Sequence, residues 1–91
     1  MPGIRFTAHL QRFFPELQQG VQVQGQTVAE VVAALERRYP GMADYLIDER
    51  GTLRKHVNIF IDDDLVTDRD QLSDRITDSH RIFIFQALSG G

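Results

Sequence analysis

Apolar residues alternate with polar ones near both ends of the chain, and one stretch of helical periodicity lies between. That order constrains the fold more than any other feature of the sequence. Ile4, Phe6 and Ala8 alternate with Arg5 and Thr7, and Val21 and Val23 alternate with Gln22 and Gln24. Period two marks a half-buried strand. The two segments are expected to pair as a hairpin, joined by a connection around Phe13 to Gly20 that includes Pro15. Thr27-Val28-Ala29-Glu30 then has the capping-box pattern of a helix start: the Thr27 hydroxyl accepts from the Glu30 amide and the carboxylate reaches back. Val28, Val31, Val32, Leu35 and Tyr39 follow at steps of three and four, an apolar stripe on a helix of about three turns. Pro40-Gly41 ends it.

Met42 to Thr52 reads as irregular, with one short helical turn expected at Ala43 to Leu46 and a turn at Arg50-Gly51-Thr52. A third strand runs from His56 to Ile61, with Val57, Ile59 and Ile61 on one face. Asp62 to Asp64 turns into a short strand at Leu65-Val66. Leu72 and Ile76 are isolated apolar anchors, and Arg81 to Gln86 is the last strand. A sheet needs one face covered. The helix stripe is expected to cover a face made of Ile4, Phe6, Val21, Val23, Val57, Ile59, Ile61, Ile82 and Ile84. Right-handed crossover sets the first and last strands side by side and parallel in the middle of the sheet. The expectation is an α+β fold, the ubiquitin-like β-grasp: a mixed sheet of four to five strands with one main helix across it. Residues 1–86 form the domain and 87–91 a tail that ends in two glycines.

At 91 residues the chain fits one domain. It has no cysteine, which removes disulfides, thiolate metal sites and cysteine nucleophiles together. His9, His56 and His80 are scattered without metal-ligand spacing, so no metal is expected. Neither Ser79-His80 nor Ser89 has the setting of a hydrolase nucleophile, and no catalytic residue is expected. A net charge of −3 argues against nucleic acid as a partner. No apolar run approaches the length that spans a bilayer. Met1 to Arg5 lacks the basic start and apolar stretch of a signal peptide, so the expected location is the cytoplasm, with no membrane partner. Seven aspartates lie between Asp62 and Asp78 against two basic residues, Arg69 and Arg75. Turn chemistry accounts for them better than a steering patch does. Asp62, Asp63 and Asp64 lack the glycine and the closing glutamate of an EF-hand loop.

Two stretches carry a family resemblance. His56-Val57-Asn58-Ile59-Phe60-Ile61-Asp62-Asp63-Asp64 resembles the strand and turn of the ThiS/MoaD sulfur carriers. Ile82-Phe83-Ile84-Phe85-Gln86-Ala87-Leu88-Ser89-Gly90-Gly91 resembles their last strand and diglycine tail. Ser89 stands where alanine is frequent in that family, and Gln86 where proline is common. The length fits the molybdopterin-type and cysteine-type carriers better than the thiamin type, and Val57 to Asp63 leans to the cysteine type. The resemblance implies a protein cosubstrate, not an enzyme. An ATP-using adenylyltransferase of the ubiquitin-activating kind adenylates the Gly91 carboxylate. A sulfurtransferase or other sulfur donor converts it to a thiocarboxylate, and a biosynthetic enzyme accepts the sulfur. ATP is used by the activating partner, and the carrier binds no cofactor of its own.

The residues suit that chemistry. A carboxylate is a poor acyl donor until adenylation supplies a leaving group. Gly90 and Gly91 carry no side chain to block a narrow channel. Gln86 to Gly91, with Leu88 and Ser89 in the tail, extends roughly 20 Å at 3.3–3.6 Å per residue. On the strand face turned away from the helix, Phe60, Phe83 and Phe85 form a candidate partner-docking patch. Two other readings stay open: loops such as Met42 to Thr52 fold over these rings, or a one-residue slip exchanges the faces. Two further functions are also compatible with the residues. One is a modifier joined through Gly91 to lysines of other proteins, with Lys55, the only lysine, as the single side-chain site for self-chains. The other is a β-grasp interaction module with an inert tail.

Overall fold

The computed structural model describes residues 2–7, 11, 14, 17 and 20–86. Within them the order is β1 (Gly3–Phe6), β2 (Val21–Gln22), α1 (Val28–Arg38), α2 (Met42–Leu46), β3 (Val57–Ile61), β4 (Asp64–Leu65) and β5 (Arg81–Gln86). The strands form one mixed sheet in the order β2-β1-β5-β3-β4. β1 and β5 run parallel, with Gly3 opposite Arg81 and Phe6 opposite Ile84, and the other pairs are antiparallel. This is the β-grasp with its first and last strands adjacent inside the sheet, as the crossover rule requires.

α1 begins where its backbone donors find partners. The first four amides of a helix have no partner inside it. Here Val28 N–H donates to the Asp74 carbonyl at 3.0 Å and Ala29 N–H to the Leu72 carbonyl at 2.9 Å. Glu30 N–H donates to Thr27 Oγ1 at 3.2 Å, and Val31 N–H to the Thr27 carbonyl at 3.0 Å. The Glu30 carboxylate accepts from Gln26 N–H at 3.0 Å, one residue earlier than in the standard box. Leu72 takes φ +55° to present its carbonyl, a costly conformation for a branched side chain. Its buried side chain, 2% exposed, anchors the connection. At the other end Gly41, at φ +98°, starts α2 and brings no capping side chain. Glu36 of α1 supplies the cap, its carboxylate accepting from Gly41 N–H at 3.0 Å and Ala43 N–H at 2.9 Å.

The core joins Val28, Val31, Val32 and Leu35 of α1 and Met42 and Leu46 of α2 to Ile4, Phe6, Val21, Val57, Ile59, Ile82 and Ile84 of the sheet. Several expectations change, among them the starts of β3, at Val57 in place of His56, and of α2, at Met42 in place of Ala43. Ile61 is half-buried, because it lies next to the sheet's edge turn. The last short strand is Asp64–Leu65 in place of Leu65-Val66, since Asp64 pairs with Ile61 across a two-residue turn. The first strand runs from Gly3 to Phe6, and Ala8 lies outside the described residues. Val23 is buried beyond the end of β2. Among the described residues, no helix is long and apolar enough to cross a membrane.

Candidate functional site

β5 alternates strictly. Ile82, Ile84 and Gln86 are buried, while Arg81, Phe83 and Phe85 are exposed. The faces are those that the alternation of isoleucine and phenylalanine implies, and neither the Met42 to Thr52 segment nor a register slip buries the rings. Phe83 is 38% exposed and Phe85 40%. Phe83 pairs with Phe60 of β3 on one side and Arg5 of β1 on the other, and Phe60 pairs with Leu65 of β4. One row across the open face therefore reads Arg5, Phe83, Phe60, Leu65. Phe85 adds a second ring beside Phe83, centroids 6.4 Å apart, opposite Asn58. Phe60 itself is half-buried.

Leu65 belongs to this patch and is its most exposed member, at 54%. A two-residue strand has no period from which its outward direction could be read. The patch is flanked differently on its two sides. Arg5 lies on the β1 side and Arg81 at the start of β5, both exposed. On the β3 side Arg69 donates to Asn58 Oδ1 at 2.9 Å, and to the Arg54 and Val57 carbonyls at 2.7 and 2.9 Å. Its guanidinium is spent on holding the start of β3.

The last described residue is Gln86, buried at 7% exposure. Its backbone N–H donates to Thr7 Oγ1 at 3.4 Å. Its side-chain amide donates to the Tyr45 carbonyl at 3.4 Å and lies 3.3 Å from His56 Nε2. Gln86 Oε1 is buried without a partner. A proline here would remove both the backbone donor and this amide, so the strand end is anchored through groups that only a residue such as glutamine brings. Leu88, Ser89, Gly90 and Gly91, the expected tail and its reacting carboxylate, lie outside the described residues. The structure thus brings together Phe60, Phe83 and Phe85 on one face, with β5 delivering the chain toward Gly91 from the end of that sheet. Among the described residues, no group of three His, Cys, Asp or Glu side chains is placed to hold a metal ion.

The ThiS family model matches residues 4–91. The sulfur carrier protein CysO of Mycobacterium tuberculosis is 33% identical over 76 residues, which cover 81% of this chain and 82% of that one. The crystal structure of M. tuberculosis CysO superposes with a TM-score of 0.84 at 27% identity, covering 97% of this chain and all of the other. A structure of the Amycolatopsis orientalis BexX/CysO complex matches the whole of both chains with a TM-score of 0.85 at 22% identity, a likeness of fold.

Proposed function

The chain belongs to the ThiS family, and from that premise we propose that it is a sulfur carrier of the CysO kind, working in the cytoplasm, whose reacting group is the carboxylate of Gly91. The supporting observation is the family match over residues 4–91, which takes in both the β-grasp and the diglycine beyond β5. In this reading the Gly91 carboxylate attacks the α-phosphate of ATP inside an activating enzyme and displaces pyrophosphate. A sulfur nucleophile then attacks the acyl carbon, AMP leaves, and the product is a thiocarboxylate. The carrier supplies an acyl group and a handle and catalyses nothing.

The division of labour follows from geometry. A tail of five residues past Gln86 reaches about 17 Å into a partner while the domain stays outside. Phe60, Leu65, Phe83 and Phe85 supply the apolar contact, and Arg5 favours a partner surface that is acidic on the β1 side. That a CysO has been crystallised in a complex with BexX shows a relative docking on a second protein. The sulfur acceptor is taken to be a biosynthetic enzyme, with the cysteine-forming type favoured by the CysO likeness.

Intact-mass spectrometry tests this directly. Incubation with an activating enzyme, ATP and a sulfur donor is expected to raise the mass by the difference between sulfur and oxygen. Deleting Gly90 and Gly91 is expected to abolish the change while leaving thermal unfolding as it was. An unchanged mass and no pyrophosphate release, across several activating enzymes, would favour the inert-tail module.

A further inference from the structure

Gly3 has no local reason to be glycine. It lies in β1, and strands disfavour glycine. Its backbone is not in the left-handed region, and a Cβ placed on it would meet nothing within 4 Å. An unforced glycine in a strand marks a place where another group approaches the backbone closely. The neighbours say what kind of group. Gly3 is paired with Gln22 of β2 on one side and with Arg81 of β5 on the other. Arg5, two residues on, shares the same open face. Gly20 keeps the space beside it clear, because a Cβ there would stand 3.4 Å from Arg5 Nε. The outcome is a hollow of about 720 Å³, open to solvent, whose lining includes Gly3, Arg5, Gly20, Gln22 and Arg81. No acidic side chain is among the described residues that line it.

Arg5 and Arg81 stand on adjacent strands, with Cα atoms about 8 Å apart from the strand spacing and the rise per residue. Both are exposed, and among the described residues neither forms an ion pair. Asp62 is the carboxylate next to Arg81, and its Oδ1 accepts from the Arg81 backbone N–H at 2.8 Å. In a chain of net charge −3, two such cations beside a bare strand position are a local exception. Their mutual repulsion is relieved when an anion bridges them. We infer that this hollow is an oxyanion site: it takes the phosphoryl group of a small phosphate ester or diphosphate over Gly3, between Arg5 and Arg81. Each guanidinium presents two parallel N–H donors to a pair of oxygens. One such fork uses up a carboxylate, whereas a terminal phosphoryl group has the oxygens and the charge for two. The missing Gly3 side chain lets the group settle close to the strand. The open side of the hollow leaves room for whatever the phosphoryl group is attached to. The assignment stands apart from the chemistry at Gly91 and needs none of it.

The test is an NMR titration of the isotope-labelled full chain with pyrophosphate, inorganic phosphate, glycerol phosphate and acetate. Ionic strength is held constant with potassium chloride, because surface charge effects are screened by salt. Saturable shifts of the Gly3, Gly20, Gln22 and Arg81 amide signals are expected with the three phosphates and not with acetate. Arg5→Gln and Arg81→Gln are each expected to weaken binding about tenfold or more, the loss of a charge-assisted contact. Gly3→Val suits a strand and extends into open space, so it is expected to keep the thermal melt and lose the binding. Arg50→Gln removes the same charge from the helical side of the molecule and is expected to leave binding unchanged. Equal weakening by Arg50→Gln would reduce the effect to net charge, and acetate binding as tightly as phosphate would make the hollow a carboxylate contact. Either result overturns the inference, as does the absence of saturable shifts at the four signals. Glycerol phosphate binding at least as tightly as inorganic phosphate supports it with an ester as the ligand. A preference for pyrophosphate supports it with a diphosphate.

Discussion

Neighbouring residues of β5 have opposite duties, and single substitutions should separate them. Phe83 faces outward between Arg5 and Phe60, and Ile84 faces the core with no exposed surface. Phe83→Asp removes an apolar ring from the proposed docking row. It also sets a carboxylate beside Arg5, so the fold should lose only about 1 kcal/mol, the span of strand preference. At the interface a central aromatic is worth about 2 kcal/mol or more, so the KM for the carrier in adenylation is expected to rise about thirtyfold or more. Ile84→Ala should do the reverse, costing about 2–5 kcal/mol of stability through the cavity it leaves, with little change in KM in the fraction that stays folded. Paired pyrophosphate-release kinetics and thermal melts check both, and unfolding of Phe83→Asp would show that the ring is core. The isoleucine and phenylalanine alternation made these duties legible, because the stripe on α1 says which face is covered. Leu65 was not legible, and neither was the burial of Gln86, a polar residue whose partners, Tyr45 and His56, come from segments far away in sequence.

At the scale of elements, helix starts show how far local pattern reaches. The α1 start is written in four consecutive residues, and the structure has the Thr27 contact they announce, while the Glu30 carboxylate reaches back one residue further, to the Gln26 amide. The α2 start is not written locally. Its N-cap is Gly41, and the capping carboxylate is Glu36, which belongs to the helix before it. The amides of Gly41, first, and Ala43 hold the Glu36 carboxyl below the usual carboxylate range. Leu72 is a similar case: its positive φ follows from the need of α1 for an acceptor, a demand no pattern around residue 72 records. Thr27→Ala should therefore destabilise by about 0.5–2 kcal/mol. The Val28 and Ala29 donors keep their carbonyl partners, so the loss is confined to one cap. The expected signature is a lower urea midpoint at unchanged slope. A changed slope would mean that α1 frays well beyond its first turn.

For the whole molecule the topology was legible and its fastenings were not. Three strands of clear alternation, one helix stripe and the handedness rule leave few arrangements, and the parallel β1–β5 pair is the one observed. The connections between those elements are pinned by carboxylates that accept backbone amides, in patterns too irregular to read from sequence. Glu36 caps α2. Asp48 closes the turn before β3: its partial desolvation works against the charge and is outweighed by the amides of Arg50 and Thr52 and by the Arg50 and Arg54 guanidinium groups. Asp68 organises the loop before Leu72, held ionised first by the Ser73 hydroxyl and then by the Gln71 amide. All three are held below their ordinary values in the folded chain. The unfolded chain therefore binds protons first as pH falls, and stability must fall with it. Their contribution is complete above the unfolded carboxylate range of about 4–4.5, and is lost progressively as pH drops through the lower folded values. The apolar core does not titrate, so the expectation is a urea midpoint nearly flat from neutrality to about pH 5 and declining below it. Glu36→Gln keeps one acceptor oxygen but no charge. It should be less stable than the parent at neutral pH and should converge on it in acid, because the parent loses there what the variant never had. Urea titrations of both chains across that range decide the matter. Parallel pH profiles with a constant offset would show that Glu36 acts through packing and not through its charge.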